Sequence, residues 1–287
     1  MRFYKDGSTR RLKTKLKRRF GKVAVVRVHS HFGAEFEMAF DLDEGHDLAQ
    51  FLLAVGKELE YEPEVADWMS RILREGSTFV DAGSNNGYFS IMASKIVGPA
   101  GRVYAFEPNP VAYGRLLRNR DLNAAVNCFP RMEALGDHAG EVRVMVDSLD
   151  DGLSQVKEVP SHLRIDEPAG VPMSRLDQIR IEAAPSLIKV DVEGYEVHAL
   201  RGMEGLLHNN RSVVLIVEWN PSFGTKDLFD YLQTRYRLYR CLDPGSNHNS
   251  TEVTGSRHLP HCNLLCIPRD LPSPSAVLAT GPSSGLA

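Results

Sequence analysis

Apolar residues along the first half of the chain change their rhythm several times. In 23-KVAVVRVHS and 34-AEFEMAFDL they recur every second position, and the short His-Phe-Gly turn between the two runs predicts a β-hairpin. Over 45–75 the spacing switches to three and four, through Leu48, Phe51, Leu52, Val65, Trp68, Met69, Ile72 and Leu73, which predicts helix. Glu62-Pro63-Glu64 sits where a helix start tolerates proline and favours acid. From residue 78 the two periods alternate. Strands are predicted at 78-TFVDAG, 102-RVYAFE and 126-VNCFPRM, with helices at 88–97 and 110–123 between them. A hairpin arm, 141-EVRVMVD, is followed by strand 186-SLIKVD, a helix over 194–209, strand 212-SVVLIVEW and a helix over 225–236. Strand and helix in turn predict an α/β fold whose mostly parallel sheet is covered on both faces. The runs 237-RLYRCLD and 262-CNLLCIP have no clear helix between them and predict an antiparallel finish.

Charge divides the chain more sharply than composition does. Residues 1–22 carry ten Lys/Arg against Asp6 alone; the remainder holds 24 basic and 36 acidic residues and stands at −12. A basic arm on an acidic body suits either a solvated segment or contact with nucleic acid or anionic lipid. It lacks the apolar stretch of a secretory signal. No run of about eighteen apolar residues occurs, so no transmembrane segment is expected. Cys128, Cys241, Cys262 and Cys266 form no paired ligand spacing, so reduced thiols and a cytoplasmic setting are expected. The expected organisation is a basic arm (1–22), an N-terminal appendage (23–60), a main α/β domain (61–268) and a Pro/Ser/Gly-rich disordered tail (269–287).

The chemistry concentrates where predicted strands end. Strand 78-TFVDAG runs into 83-GSNNG, where Gly83 and Gly87 permit a tight turn and a helix start whose amides suit an anion. Glu107 ends the next strand, where a carboxylate can accept both hydroxyls of a ribose. A dinucleotide would want glycine at position 85, which is Asn85 here, and Asp81 would repel a diphosphate while suiting the ammonium or sulfonium of S-adenosylmethionine. No GK[ST] follows the turn, which disfavours ATP.

The strings 79-FVDAGSNNGYFSI, 104-YAFEPNP, 187-LIKVDVEGYEVHALRGM and 215-LIVEWNP resemble, in order and spacing, the signature blocks of the FkbM family of S-adenosylmethionine-dependent methyltransferases. That resemblance implies a class I methyltransferase sheet, Rossmann-like with an antiparallel last strand, and O-methylation of a sugar, polyketide or related hydroxyl. It also implies that Asp81, Gly83 and Gly87, with Asn85 in the same loop, frame the methionyl end and that Glu107 holds the ribose. In such enzymes the exit of the third strand contacts adenine, which points to Glu133 and Ala134.

Lys189 and Asp191 stand two apart and share a face of their strand, and the neighbouring strand ends on Glu218. Charges inside an apolar strand are costly unless used or paired. Asp191 is the candidate base or substrate orienter, Lys189 its partner or an alkoxide stabiliser, and Glu218 a hydroxyl ligand. Asp191 is also placed beside the cofactor. The same three could instead be a structural ion-pair set. Glu193 and Glu196 fit either a site or a helix start. His198 and His248 are alternative bases, and Tyr88 and Trp219 candidate pocket walls. A divalent metal on Asp191 and Glu218 is not favoured, because the third ligand is missing and position 219 is Trp. The reading is an O-methyltransferase for a small-molecule, sugar or glycan hydroxyl. An RNA ribose methyltransferase using residues 1–22 is the alternative, disfavoured by the acidic body, and a non-catalytic cofactor-binding module is a third.

Overall fold

The computed structural model describes residues 7–30, 33–43, 47–48, 50–52, 61–147, 150–158, 170–223, 226–241 and 252–271. Three of the sequence expectations, the tail beyond 271, the turn at 31–32 and His248, lie outside them.

A seven-stranded sheet organises the chain. Its strands are β3 (Thr78–Ala82), β4 (Arg102–Phe106), β5 (Cys128–Arg131), β10 (Leu187–Val190), β11 (Val214–Trp219), β12 (Tyr236–Arg240) and β13 (Cys262–Pro268). They run in the order β12-β13-β11-β10-β3-β4-β5. Pairing is parallel from β11 through to β5, and β13 inserts antiparallel to both β11 and β12. The antiparallel finish is therefore present, with the last strand inside the sheet and not at its margin. Pro130 falls on β5, an edge strand, where its missing N–H breaks no ladder.

Both faces of this sheet are covered. One face, with Phe79, Val103, Leu187 and Ile216, packs under α2 (Pro63–Ile72), α3 (Tyr88–Val97) and the hairpin of β1 (Val23–His29) and β2 (Glu35–Asp41). The other, with Val80, Phe106, Ile188 and Leu215, packs on α5 (Glu196–Arg201), α6 (Glu204–Asn209) and α7 (Lys226–Gln233). Helix α4 (Pro110–Leu122) opens on Asn109, whose Oδ1 accepts from the Val111 amide at 2.9 Å, with proline at the first position.

Three expectations change in detail. The helix foreseen over 194–209 is two, and they part at Gly202, which lies so close to the Gly136 carbonyl that a Cβ would stand 1.8 Å from its oxygen. The second of them, α6, takes its cap from Asp177, which accepts from the Gly205 and Leu206 amides at 3.1 and 2.8 Å. The arm at 141–147 belongs to a second sheet, where β7 (Gly140–Asp147) pairs with β8 (Asp150–Glu158) and β9 (Val171–Ser174), and β9 pairs with β6 (Ala134–Leu135). Residues 7–20 of the basic arm form helix α1; Leu16 packs on the core, Phe20 lies edge-on to Phe51 at 5.5 Å, and Lys17 reaches Asp43 at 2.7 Å. None of the helices among the described residues is long and apolar enough to cross a membrane.

Buried amides bolt the hairpin and the residues around Asp47 to the helices on the main sheet. Asn119 accepts from the Ala39 amide and donates to the Asn86 carbonyl, both at 2.8 Å, and Asn86 in turn donates to Asp47 and Gln50. Replacing Asn119 with alanine strands a donor and an acceptor in a fully buried position. The expected cost is about 2–4 kcal/mol, read as a lowered urea midpoint with an unchanged slope.

Candidate active site

At the carboxyl ends of β3, β4 and β10 the structure opens a cleft walled by Tyr61, Asn85, Glu107, Glu133, Lys189 and Asp191. Ligands of open α/β sheets bind at such strand ends. One wall is the loop after β3, which hangs from the terminus of β4. The amides of Gly83 and Ser84 both donate to the Phe106 carbonyl, at 2.9 and 3.0 Å, and the amide of Asn85 donates to the Glu107 carboxylate at 2.8 Å. The other Glu107 oxygen accepts from the Asn109 amide at 2.8 Å. Two backbone donors thus fix the carboxylate at the cleft wall. Burial nevertheless raises its pKa, and the two amides offset this only partly, leaving it at about 7.

Gly83 is dictated by packing. It has φ 85°, and a Cβ there would lie 1.7 Å from the Asp191 carbonyl oxygen, so only glycine lets the exits of β3 and β10 approach. Gly87 opens α3 with φ 87° and is not among the residues lining the cleft. Glu133 and Ala134 do line it; Glu133 accepts from Arg131 at 2.7 Å and from the Ser174 hydroxyl.

Lys189 and Asp191 face the opposite end, their Nζ and Oδ2 2.6 Å apart. The ammonium is 3% exposed and stands 5.1 Å over the Phe89 ring. Burial works to lower its pKa, but Asp191, Glu62 and Asp81 outweigh burial and hold it above the ordinary lysine value. Glu62 was legible only as a helix-start acid. It sits at φ 43°, accepts from the Tyr61 hydroxyl and from Asn263 Nδ2 at 3.4 Å, and burial raises its pKa. Tyr61 lines the cleft beside Gln50 and Tyr88.

The structure distributes the other candidates unevenly. Asp81 is 1% exposed and lies behind the cleft, accepting from Ser90 of α3 at 2.6 Å; the sheet's two-residue alternation turns it under that helix. Burial raises its pKa, while Lys189 and the Ser90 bond pull it down. Glu218 is Asp191's neighbour across β10 and β11 but does not line the cleft. It pairs with His261, a residue with no sequence signal of its own, at 2.7 Å. Burial, then Asp191, Glu193 and Glu196, drive its pKa upward. Glu193 lines the cleft at φ 53°. Glu196 instead caps the loop, accepting from the Val192 and Gly194 amides at 3.2 and 3.0 Å. Trp219 is core, packed edge-on to Phe229. His198 bonds Asp137 at 2.7 Å and stacks on Tyr195, itself a lining residue. Among the described residues no three acids, histidines or cysteines are grouped to hold a metal ion.

The strand order, the reversed strand inserted beside β11 and the cleft at the parallel strand ends define a class I methyltransferase fold. Residues 81–241 match the methyltransferase FkbM domain, and the chain belongs to that family. It is similar to the hexuronic acid methyltransferase AglP of Haloferax volcanii, with 26% identity over 172 residues covering 60% of this chain and 68% of that one. It is also similar to methyltransferase sdnD of Sordaria araneosa, with 30% identity over 173 residues covering 50% of this chain and 66% of the relative, just under two thirds of its length. The FkbM methyltransferase structure from Methylobacillus flagellatus KT aligns with a TM-score of 0.44 at 17% identity over 70% of this chain, which spans half of that one. An O-methyltransferase structure from Thermotoga maritima aligns at 0.42 and 9% identity, covering 85% of this chain and 92% of the other.

Replacing Lys189 with methionine removes the ammonium shared by Asp81, Asp191 and Glu62. The expected loss is about 3–5 kcal/mol of stability. Asp81 and Glu62 already have raised pKa values, and without the ammonium they rise further. Stability from a carboxyl with a raised folded pKa is fully present below its unfolded value and is lost as pH climbs toward the folded one. The gap between variant and parent should therefore widen from pH 5 to pH 8 in urea titrations.

Proposed function

We propose that the chain transfers a methyl group from S-adenosylmethionine to a hydroxyl of a small molecule, sugar or glycan. The observation that carries this reading is Glu107, held at the cleft wall by two backbone amides at 2.8 Å, in a cleft that also holds the Lys189–Asp191 pair, whose lysine is buried.

The residues present fit that cofactor. Each Glu107 oxygen uses one lone pair on the protein and keeps another for a ribose hydroxyl. Glu133, Ala134 and Leu135 wall the adenine end, and the carboxylates of Asp191 and Glu193 suit a sulfonium near the strand ends. S-adenosylmethionine supplies an electrophilic methyl carbon on that sulfonium and leaves as S-adenosylhomocysteine. With the cofactor bound, the acceptor hydroxyl would have to be held in line with that methyl group and lose its proton, the new oxygen–carbon bond replacing the carbon–sulfur bond. Asp191 takes the hydroxyl proton and passes it to water, and Lys189, 2.6 Å away, holds that carboxylate in place. Positioning of this kind is worth several kcal/mol, and a base within reach adds roughly 10²–10⁴-fold.

The sugar part of the reading draws support from the relative whose name specifies hexuronic acid methylation. The cleft's acidic lining supports a small acceptor over RNA, whose phosphates it would repel.

Two outcomes test the assignment. Glu107→Ala should weaken S-adenosylhomocysteine binding by about 30- to 150-fold in calorimetry, the worth of two charge-assisted hydrogen bonds shared with backbone amides. Asp191→Asn should leave that affinity within a few-fold and slow labelled methyl transfer by about 10²–10⁴. Equal losses of binding in both variants would remove the division of roles.

The parent protein should also show a pH signature. The ionised Glu107 accepts the ribose hydroxyls, and its pKa of about 7 means that acid protonates it first. Affinity for S-adenosylhomocysteine should hold above pH 8 and fall up to tenfold per unit below pH 7, a slope absent in the Glu107→Ala protein.

A further inference from the structure

Helix α1 is built against the usual charge pattern of a surface helix. Half of its fourteen residues are Lys or Arg and none is acidic, so no pair of opposite charges four apart supports it. Its apolar positions, Leu12, Leu16 and Phe20, recur every fourth residue, and Leu16 seats the helix on the core. Two of the bases have a structural use. Lys13 donates to the Asp43 carbonyl at 2.8 Å and Lys17 to the Asp43 carboxylate at 2.7 Å, which ties this flank of the helix to the turn after β2.

The other flank has no such use. Arg11, Lys15 and Arg18 stand four and three residues apart, which puts them on one line of the helix, turned away from the Leu16 contact. All three are exposed, and none has a hydrogen-bond or ion-pair partner among the described residues. Like charges at this spacing repel one another. The two acids that lie close to α1 are already engaged, Asp43 by Lys17 and Asp41 by Lys22 at 3.6 Å. A local conflict of this kind marks a place where something outside the fold supplies the missing charge.

The surroundings choose between the polyanions that could supply it. Phe20 is the one aromatic residue of α1, and its ring is occupied: Phe51 meets it edge-on at 5.5 Å and the Arg19 guanidinium stands 5.1 Å over it. It is therefore not presented as a platform on which a nucleic-acid base could stack. Apolar groups lie beside the bases instead. Leu12, next to Arg11, is 39% exposed, and Val25 of β1, the strand on which α1 packs, is 53% exposed. Such side chains have no partner on a phosphate backbone, whereas the boundary between lipid headgroups and acyl chains accepts them.

We infer that α1 is a docking face for an anionic lipid bilayer, with Arg11, Lys15 and Arg18 against the headgroup phosphates and Leu12 at the edge of the apolar layer. The attachment is peripheral and electrostatic, and salt weakens it.

The test is sedimentation of the full chain with vesicles of phosphatidylcholine alone and of phosphatidylcholine with about a third phosphatidylserine. The mixed vesicles should retain the protein at least about tenfold better than the neutral ones in about 0.1 M salt, and the difference should vanish near about 0.5 M. Each base at an anionic surface contributes roughly fivefold, so the double variant Arg11→Gln, Arg18→Gln should weaken retention about 25-fold. Its urea midpoint should stay at the parent's value, because exposed unpaired bases hold no part of the fold. The double variant Lys13→Gln, Lys17→Gln removes the same charge from the flank held on Asp43 and should weaken retention less than about threefold. Equal retention by both vesicle types, or equal losses from the two double variants, overturns the inference. A lowered midpoint in Arg11→Gln, Arg18→Gln gives that line a structural role and overturns it too. Tighter binding of an RNA duplex than of mixed vesicles at matched phosphate concentration overturns it in favour of nucleic acid.

Discussion

A single buried ammonium sets the terms for the functional half of this molecule. Lys189 sits in the middle of a parallel strand, between Asp81 on β3 and the β11 ladder, and its charge is neutralised by acids from three separate segments of the chain. Remove it and Asp81, Asp191 and Glu62 face one another in an interior that cannot solvate them. Keep it and the same acids become a fixed array at the strand ends. Gly83 completes the constraint, because the β3 exit can lie against the Asp191 carbonyl only if that residue has no side chain. The loop after β3 and the proposed base are therefore positioned by the same contact.

Much of this was readable in the amino-acid order, and the reasons are physical. A strand whose both faces are buried reads as an apolar run, so the charges in 186-SLIKVD stood out, and their two-residue spacing placed Lys189 and Asp191 together. Glu107 was legible because strand ends in an open parallel sheet are where ligands bind. Asp81 shows the limit. Its proximity to the glycine turn suggested the cofactor, but the same alternation that served Lys189 puts it under α3 against Ser90. Glu62 read only as a helix-start acid, and His261 carried no signal for this region. Each is tied to a candidate residue far away in sequence, Lys189 for one and Glu218 for the other.

Backbone strain follows the same geography. Of the four non-glycine residues with positive φ among those described, Glu62, Asn85 and Glu193 border the cleft or its lysine, and Ala124 alone lies elsewhere, after α4. Such conformations persist when surrounding contacts over-determine them. Here the contacts are visible: the Asn85 amide is held by Glu107, and Glu62 by Tyr61 and Asn263. The N-terminal segment adds the last element, since Asn86 joins the loop after β3 to Asp47 and Gln50, and Gln50 lines the cleft.

The most direct measurement is a crystal structure of the full chain grown with S-adenosylhomocysteine. The account expects both ribose hydroxyls within about 2.5–3.0 Å of the Glu107 oxygens. The sulfur should point toward the Lys189–Asp191 end. A ligand bound elsewhere, or one whose ribose turns away from Glu107 with its sulfur toward Glu133, would contradict it.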